Sequence, residues 1–190
     1  MQANRLGFDE NREWNYVLRV YARRGVASAC LLLQDRLGVD VVVMLHLAYV
    51  CMEHGVAMTD RGVAQADTAV RRWREEVVHP LRSARRFIKK KDDALKKLHT
   101  GLQEMELLAE RYALARLEAL PTPTNTNPMV SIWYSVLPVV AFYARRGGHM
   151  GQLNQQSVRE AMQLLDEQLF IKEDATGDGS VHLHVGAHVV

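Results

Sequence analysis

Residues Val41 to His54, VVVMLHLAYVCMEH, are apolar almost all round when wound as a helix: Val42, Val43, Met44, Leu45, Leu47, Ala48, Val50 and Cys51 leave no polar stripe. A helix of that kind cannot lie on a surface, so the remaining chain must cover it from several sides. With 190 residues, 48% of them hydrophobic, the chain is long and apolar enough to do so. Neither apolar run reads as a membrane span. Val39 to Cys51 is broken by Asp40 and His46, and Met129 to Ala144 contains two serines and Pro138. Both fall short of the roughly 18 to 20 uninterrupted apolar residues that a bilayer demands.

The covering helices can be read in order. Phe8 and Asp9 predict a staple and N-cap for a first helix reaching about Arg23, with Trp14, Val17, Leu18 and Tyr21 on its apolar side and Glu10 and Glu13 in the favourable first turn. Gly25 ends it. Val26 to Leu37 predicts a second helix that buries Val26, Ala29, Cys30, Leu33 and Leu37, closed by Gly38, after which Asp40 caps the apolar helix. Gly55 stops that helix, and Thr59-Asp60 starts a fourth from about Arg61 towards Glu76. Cys30 and Cys51 fall on apolar helical positions, which predicts buried free thiols in a reducing compartment rather than a disulfide.

The charge signal is local. From Arg71 to Lys97 there are eleven Lys or Arg against four carboxylates, a net of +7 in a chain whose total is +2. Helical winding gathers nearly all of these cations in one sector and sets Trp73, Val77, Leu81, Ala84, Phe87, Ile88 and Leu95 opposite. Pro80 lacks a backbone donor and clashes with the preceding turn, which predicts a kink. If the amphipathic register continues through it, the Trp73 to Phe87 side closes the core while Arg82, Arg85, Arg86 and Lys89 face out. Asp92 to Leu120 then predicts a long helix with Leu95, Leu98, Leu102, Met105, Leu108, Tyr112 and Leu117 on its core face and Glu104, Glu106, Glu110, Arg111 and Glu118 outside.

Pro121 to Pro128, PTPTNTNP, has three prolines and no apolar side chain, so it can be neither helix nor central strand. The expected division is a helical core domain over 8–120, a linker over 121–128, a helical extension over 129–171 and a polar tail over 172–190. In the tail, Val181, Leu183 and Val185 alternate with polar residues as in an edge strand. The fold class is all-α: an irregular bundle of about five helices with a helical C-terminal extension and an extended tail.

Three islands in order carry a resemblance: Tyr21 to Val26 (YARRGV), Leu33 to Asp40 (LQDRLGVD) and, beyond the apolar helix, Trp73 to Arg82 (WREEVVHPLR). Over residues 14–120 the chain resembles a mainly proteobacterial family known only as a domain of unknown function (number 2390). The resemblance implies an all-helical domain and carries no established activity. It also implies a cytoplasmic setting in a bacterium and the mitochondrial matrix in a eukaryote. About 70 residues after Pro121 have no counterpart in it.

Residues with chemical potential are sparse. His46, Glu53 and His54 share a face at spacings too wide for a metal pair of the His-x-x-x-His kind, and His182, His184 and His188 have no carboxylate or thiol nearby. No Gly-rich phosphate loop, nucleophile elbow or Cys-x-x-Cys is present. The expectation is therefore no catalytic residue, no metal and no cofactor. The start of the chain has no apolar stretch of the secretory kind, so secretion is not expected. Arginine predominates over lysine in the first half of the basic stretch, the form suited to bidentate contact with phosphate or carboxylate. We therefore expect a non-catalytic adaptor or accessory subunit of a larger assembly, binding an acidic protein or RNA through Arg71, Arg74, Arg82, Arg85, Arg86, Lys89 and Lys90. The alternative is an enzyme or ligand-binding domain with a pocket beside His46 and Glu53.

Overall fold

The computed structural model describes residues 12–88, 95–121 and 135–171. Its helices are α1 (Arg12–Tyr21), α2 (Val26–Leu37), α3 (Val41–His54), α4 (Asp60–Trp73), α5 (His79–Phe87), α6 (Lys96–Glu118), α7 (Leu137–Arg146) and α8 (Gln156–Leu169). A π-helical turn, Arg74–Val78, joins α4 to α5, and no strand occurs among the described residues. The fold is all-α, as the sequence leads one to expect. Among the described residues, no helix is long and apolar enough to cross a membrane. The expected edge strand, Lys89, Lys90 and all but Pro121 of the linker lie outside the described residues.

Helix α3 is the centre. Val43, Met44, Leu45 and Ala48 are wholly buried, and the Asp40 carboxylate caps the helix by accepting from the Val43 N–H at 3.1 Å. Around it, α1, α2, α4 and α6 contribute Val20, Leu33, Val70 and Leu114 to a core that also contains Val139 and Tyr143 of α7 and Leu165 and Leu169 of α8. The segment beyond the Pro/Thr/Asn stretch thus completes this core. Along α2 lies α8, and along α4 lies α7. Tyr16 Oη donates to the Leu169 carbonyl at 2.8 Å. The turn between α1 and α2 depends on Gly25. Its φ is +86°, and a Cβ there would meet Leu164 Cδ1 of α8 at 2.7 Å.

The π turn overturns the expected register. Pro80 has no N–H, and the His79 N–H bonds back five residues to the Arg74 carbonyl, so the turn takes in an extra residue. One extra residue rotates α5 by roughly 100° relative to a continuous α-helix. Phe87, expected on the core side, is 88% exposed, and Arg82, expected outside, is buried. Helix α6 is turned over to match. Glu106 and Glu110 face inward beside Ala109 and Ala113, while Leu98, Met105, Leu108 and Tyr112, expected in the core, are exposed. Two arginines explain the exchange: a buried carboxylate is tolerated where charge-assisted donors reach it, and α5 supplies them.

Candidate functional site: an ion-pair cleft and an outward apolar helix face

The first cluster is built on Asp67, whose side chain is fully buried on α4. Arg71 donates to Asp67 Oδ2 through Nε at 2.9 Å, Arg146 of α7 reaches the same oxygen at 2.5 Å, and Arg74 Nη2 reaches Oδ1 at 2.8 Å. Tyr143 Oη donates to Oδ1 at 3.0 Å. Burial alone would raise the Asp67 pKa, but the hydrogen bonds from Arg71 and Arg74 and the charge of Arg74 outweigh it and hold the group below its ordinary value. Arg74 also reaches Asp40 Oδ2, at 2.5 Å. One arginine at the start of the π turn thus ties α4 to the cap of α3.

The second cluster lies at the far side of that turn. Arg82 donates from Nε to Glu106 Oε1 at 2.8 Å and from Nη2 to Glu110 Oε1 at 2.6 Å, and Arg85 Nε reaches Glu106 Oε2 at 2.5 Å. Glu106 sits low on its pKa scale: burial opposes ionisation, and the hydrogen bonds from Arg85 and Arg82 overcome it. For Glu110, by contrast, burial dominates over the Arg82 charge and pushes the pKa well above the ordinary carboxylate range, with neighbouring Glu106 adding to the rise. Its Oε2 has no hydrogen-bond partner, and neither does Oε1 of Gln34. Both residues line a cavity of about 380 Å³ between α2, the cap of α3, the π turn and α5, whose walls also include Asp35, Arg74, Ser83 and Arg86. His79 opens onto it, with a pKa lowered first by burial and then by the charges of Arg74 and Arg82.

The structure therefore places the sequence-predicted residues unequally. Arg71 and Arg74 are committed to Asp67, and Arg82 and Arg85 to Glu106 and Glu110. Arg86 is exposed and approaches Asp35 at 3.5 Å. Lys89 and Lys90 lie outside the described residues. Neither His46 nor Glu53, beside which the sequence suggests a pocket, lines the cavity at the π turn. His46 is buried against Glu13, with Nδ1 to Oε1 at 2.8 Å, whereas Glu53 is exposed. Burial raises Glu13 to about 7, with His46 pulling the other way and Glu118 adding to the rise. Cys30 and Cys51 are free and buried, their thiols pushed up to about 12 by desolvation. Among the described residues, no three His, Cys, Asp or Glu side chains form a group that could hold a metal ion.

Sequence reasoning places Glu106 and Glu110 on the surface. Their i, i+4 spacing opposite the Arg82, Arg85 pair is the signal that could have turned them inward. With those glutamates facing the core, α6 presents Leu98, Met105, Leu108 and Tyr112 to solvent at 52, 56, 60 and 43% exposure. Beside them, Trp73 packs on Tyr112 with ring centroids 4.5 Å apart and planes tilted by 49°, and donates from Nε1 to the Ala109 carbonyl at 2.9 Å.

Among comparisons with known proteins, a family model described as "Protein of unknown function (DUF2390)" matches residues 12–117. No curated protein and no solved structure matches the chain.

Proposed function

The chain belongs to the DUF2390 family, and on that premise we propose that it is a non-catalytic helical adaptor, an accessory subunit of a larger assembly. The observation that carries this reading is the inversion of α6, which buries two glutamates and turns four large apolar side chains outward. Leaving that surface in water forgoes about 25 cal/mol for each Å² that a partner would cover. The residues matched to the family supply helices and ion pairs that hold one another in place. Lys96 and Lys97 are exposed at the end of the stripe where Leu95 and Leu98 begin, and together they suit an acidic protein surface. The setting, cytoplasm in a bacterium or mitochondrial matrix in a eukaryote, belongs to the same proposal.

Native sizing of cell extract tests it. The chain is expected in a particle well above 21.6 kDa, and Leu98→Glu or Leu108→Glu should move it to lower mass without loss of helical circular dichroism. A wild-type chain that runs at monomer mass, or variants that run with the wild type, would overturn the reading.

A second reading is favoured by the cavity at the π turn, because Glu110 and Gln34 both line it and each has a buried oxygen without a hydrogen-bond partner. In that reading the cleft accepts a small molecule through its N–H or O–H donors. A ligand that raises the melting temperature of the wild type but not of Glu110→Leu would support it.

A further inference from the structure

We propose that the outward face of α6 pairs antiparallel with α6 of a second copy of this chain. The inference rests on the adaptor reading for the role of that face and adds the identity of its partner. The face is more regular than a scattered apolar surface. Leu98, Met105, Tyr112 and Ala119 recur every seven residues, and Gly101, Leu108 and Ala115 fall between them, giving alternating steps of three and four. This is the spacing by which two helices keep one seam in contact as they supercoil. It spans roughly 32 Å at 1.5 Å per residue. Gly101 fits within it as a point of close approach, since a Cβ there would meet nothing within 4 Å.

Charge sets the direction. Lys97, Glu104, Arg111 and Glu118 follow one edge of the seam at seven-residue intervals, and their signs alternate. In an antiparallel pair that edge faces its own copy in reverse order. Lys97 then meets Glu118 of the partner subunit, and Glu104 meets Arg111 of the partner subunit, so both kinds of contact are attractive. A parallel pair would instead set this edge against the other one, bringing Arg111 towards Arg116 of the partner subunit. Arg111 lies over the Trp14 ring at 5.4 Å, and Glu118 is within hydrogen-bonding reach of Glu13. Both contacts are made to α1, which borders that edge. The arrangement is two-fold and self-complementary, the symmetry by which most identical chains associate.

Sedimentation equilibrium of the purified full chain between about 1 and 100 μM tests the pairing, at concentrations where an interface near 10⁻⁶ M is visible. The expected mass is twice 21.6 kDa. Leu108→Glu should leave a monomer with unchanged circular dichroism. Glu104→Arg, an exposed change that disturbs no packing, should weaken association about tenfold, and the weakening should shrink as salt screens the edge. A wild type that is monomeric throughout, or a dimer untouched by both substitutions, would overturn the proposal. If the pure chain is monomeric while the Leu108→Glu change still shrinks the particle in cell extract, the second copy is excluded and the adaptor reading stands. If both measurements give monomer mass, both fall.

Discussion

Asp67 and Glu110 are both buried carboxylates facing arginine, and they end in opposite conditions. Asp67 collects donors from Arg71, Arg74, Arg146 and Tyr143, and its pKa is lowered although burial pushes the other way. Glu110 receives Arg82 on one oxygen, none on the other, and burial wins. The number of donors that the fold delivers decides between a fastened charge and an open acceptor, since each desolvated oxygen without a partner costs about 1 to 3 kcal/mol. The saturated site joins helices on both sides of the Pro/Thr/Asn stretch, and the undersupplied one faces a cavity.

The strongest way to break this contrast is to empty the saturated site. Asp67→Ala leaves Arg74 with Asp40 and Tyr143 and frees Arg71 and Arg146, which should cost about 3 to 5 kcal/mol in urea denaturation. Faster amide exchange in α7 should accompany the loss. A change below about 1 kcal/mol would show that the arginines find other partners.

The pH dependence sharpens the contrast because the signs differ. A carboxyl with a lowered pKa, as at Asp67 and Glu106, contributes stability that is present above its ordinary value and is lost as pH falls through the lowered one. Glu13 is the reverse. Folding raises it from 4.5 to about 7, so its contribution is fully present below pH 4.5 and is lost as pH rises through 7. The loss is at most about 3 kcal/mol, from 1.36 kcal/mol per unit. Glu13→Gln should therefore flatten the fall in melting temperature between those limits. An unchanged slope would assign the titration to another group.

The two glutamates on α6 give a smaller and more direct comparison. Glu106→Gln weakens the pairing of both Arg82 and Arg85 and should cost about 2 kcal/mol. Glu110→Gln removes a charge that burial already resists and should lie within about 1 kcal/mol of wild type at pH 8. Equal costs for the two would mean that the open oxygen of Glu110 is satisfied after all. The smallest effect is expected at Arg72, whose pair with Glu76 is largely exposed on both sides. Arg72→Ala should change stability by no more than about 0.5 kcal/mol.

Legible in the sequence is whatever chain neighbours decide. The ends of α2 and α3 come from Gly38, Asp40 and Gly55, whose effects are confined to one turn. The all-helical class comes from periodicity in the same way. The inward faces of α5 and α6 are not legible, because Arg82 meets Glu106 across 24 positions and its direction is set by a wide turn that periodicity cannot register. Glu13 reads as a helix-start residue for the same reason, since its partner His46 is 33 positions away. The arginine stretch is visible as charge, and the carboxylates that neutralise it are visible only as a separate charged face.

The π turn carries one more consequence, for inheritance rather than energy. Fifteen positions separate Asp67 from Arg82, and the wide turn counts as one more residue than a plain helix would need to cover the same rise. Losing a single residue there would hardly shorten the rod, but it would swing α5 by roughly a quarter turn, drawing Arg82 away from the glutamates and carrying Phe87 towards them. Selection at this point should act on length before identity. Related chains should tolerate exchanges at exposed Glu75 and Glu76 more readily than a gap.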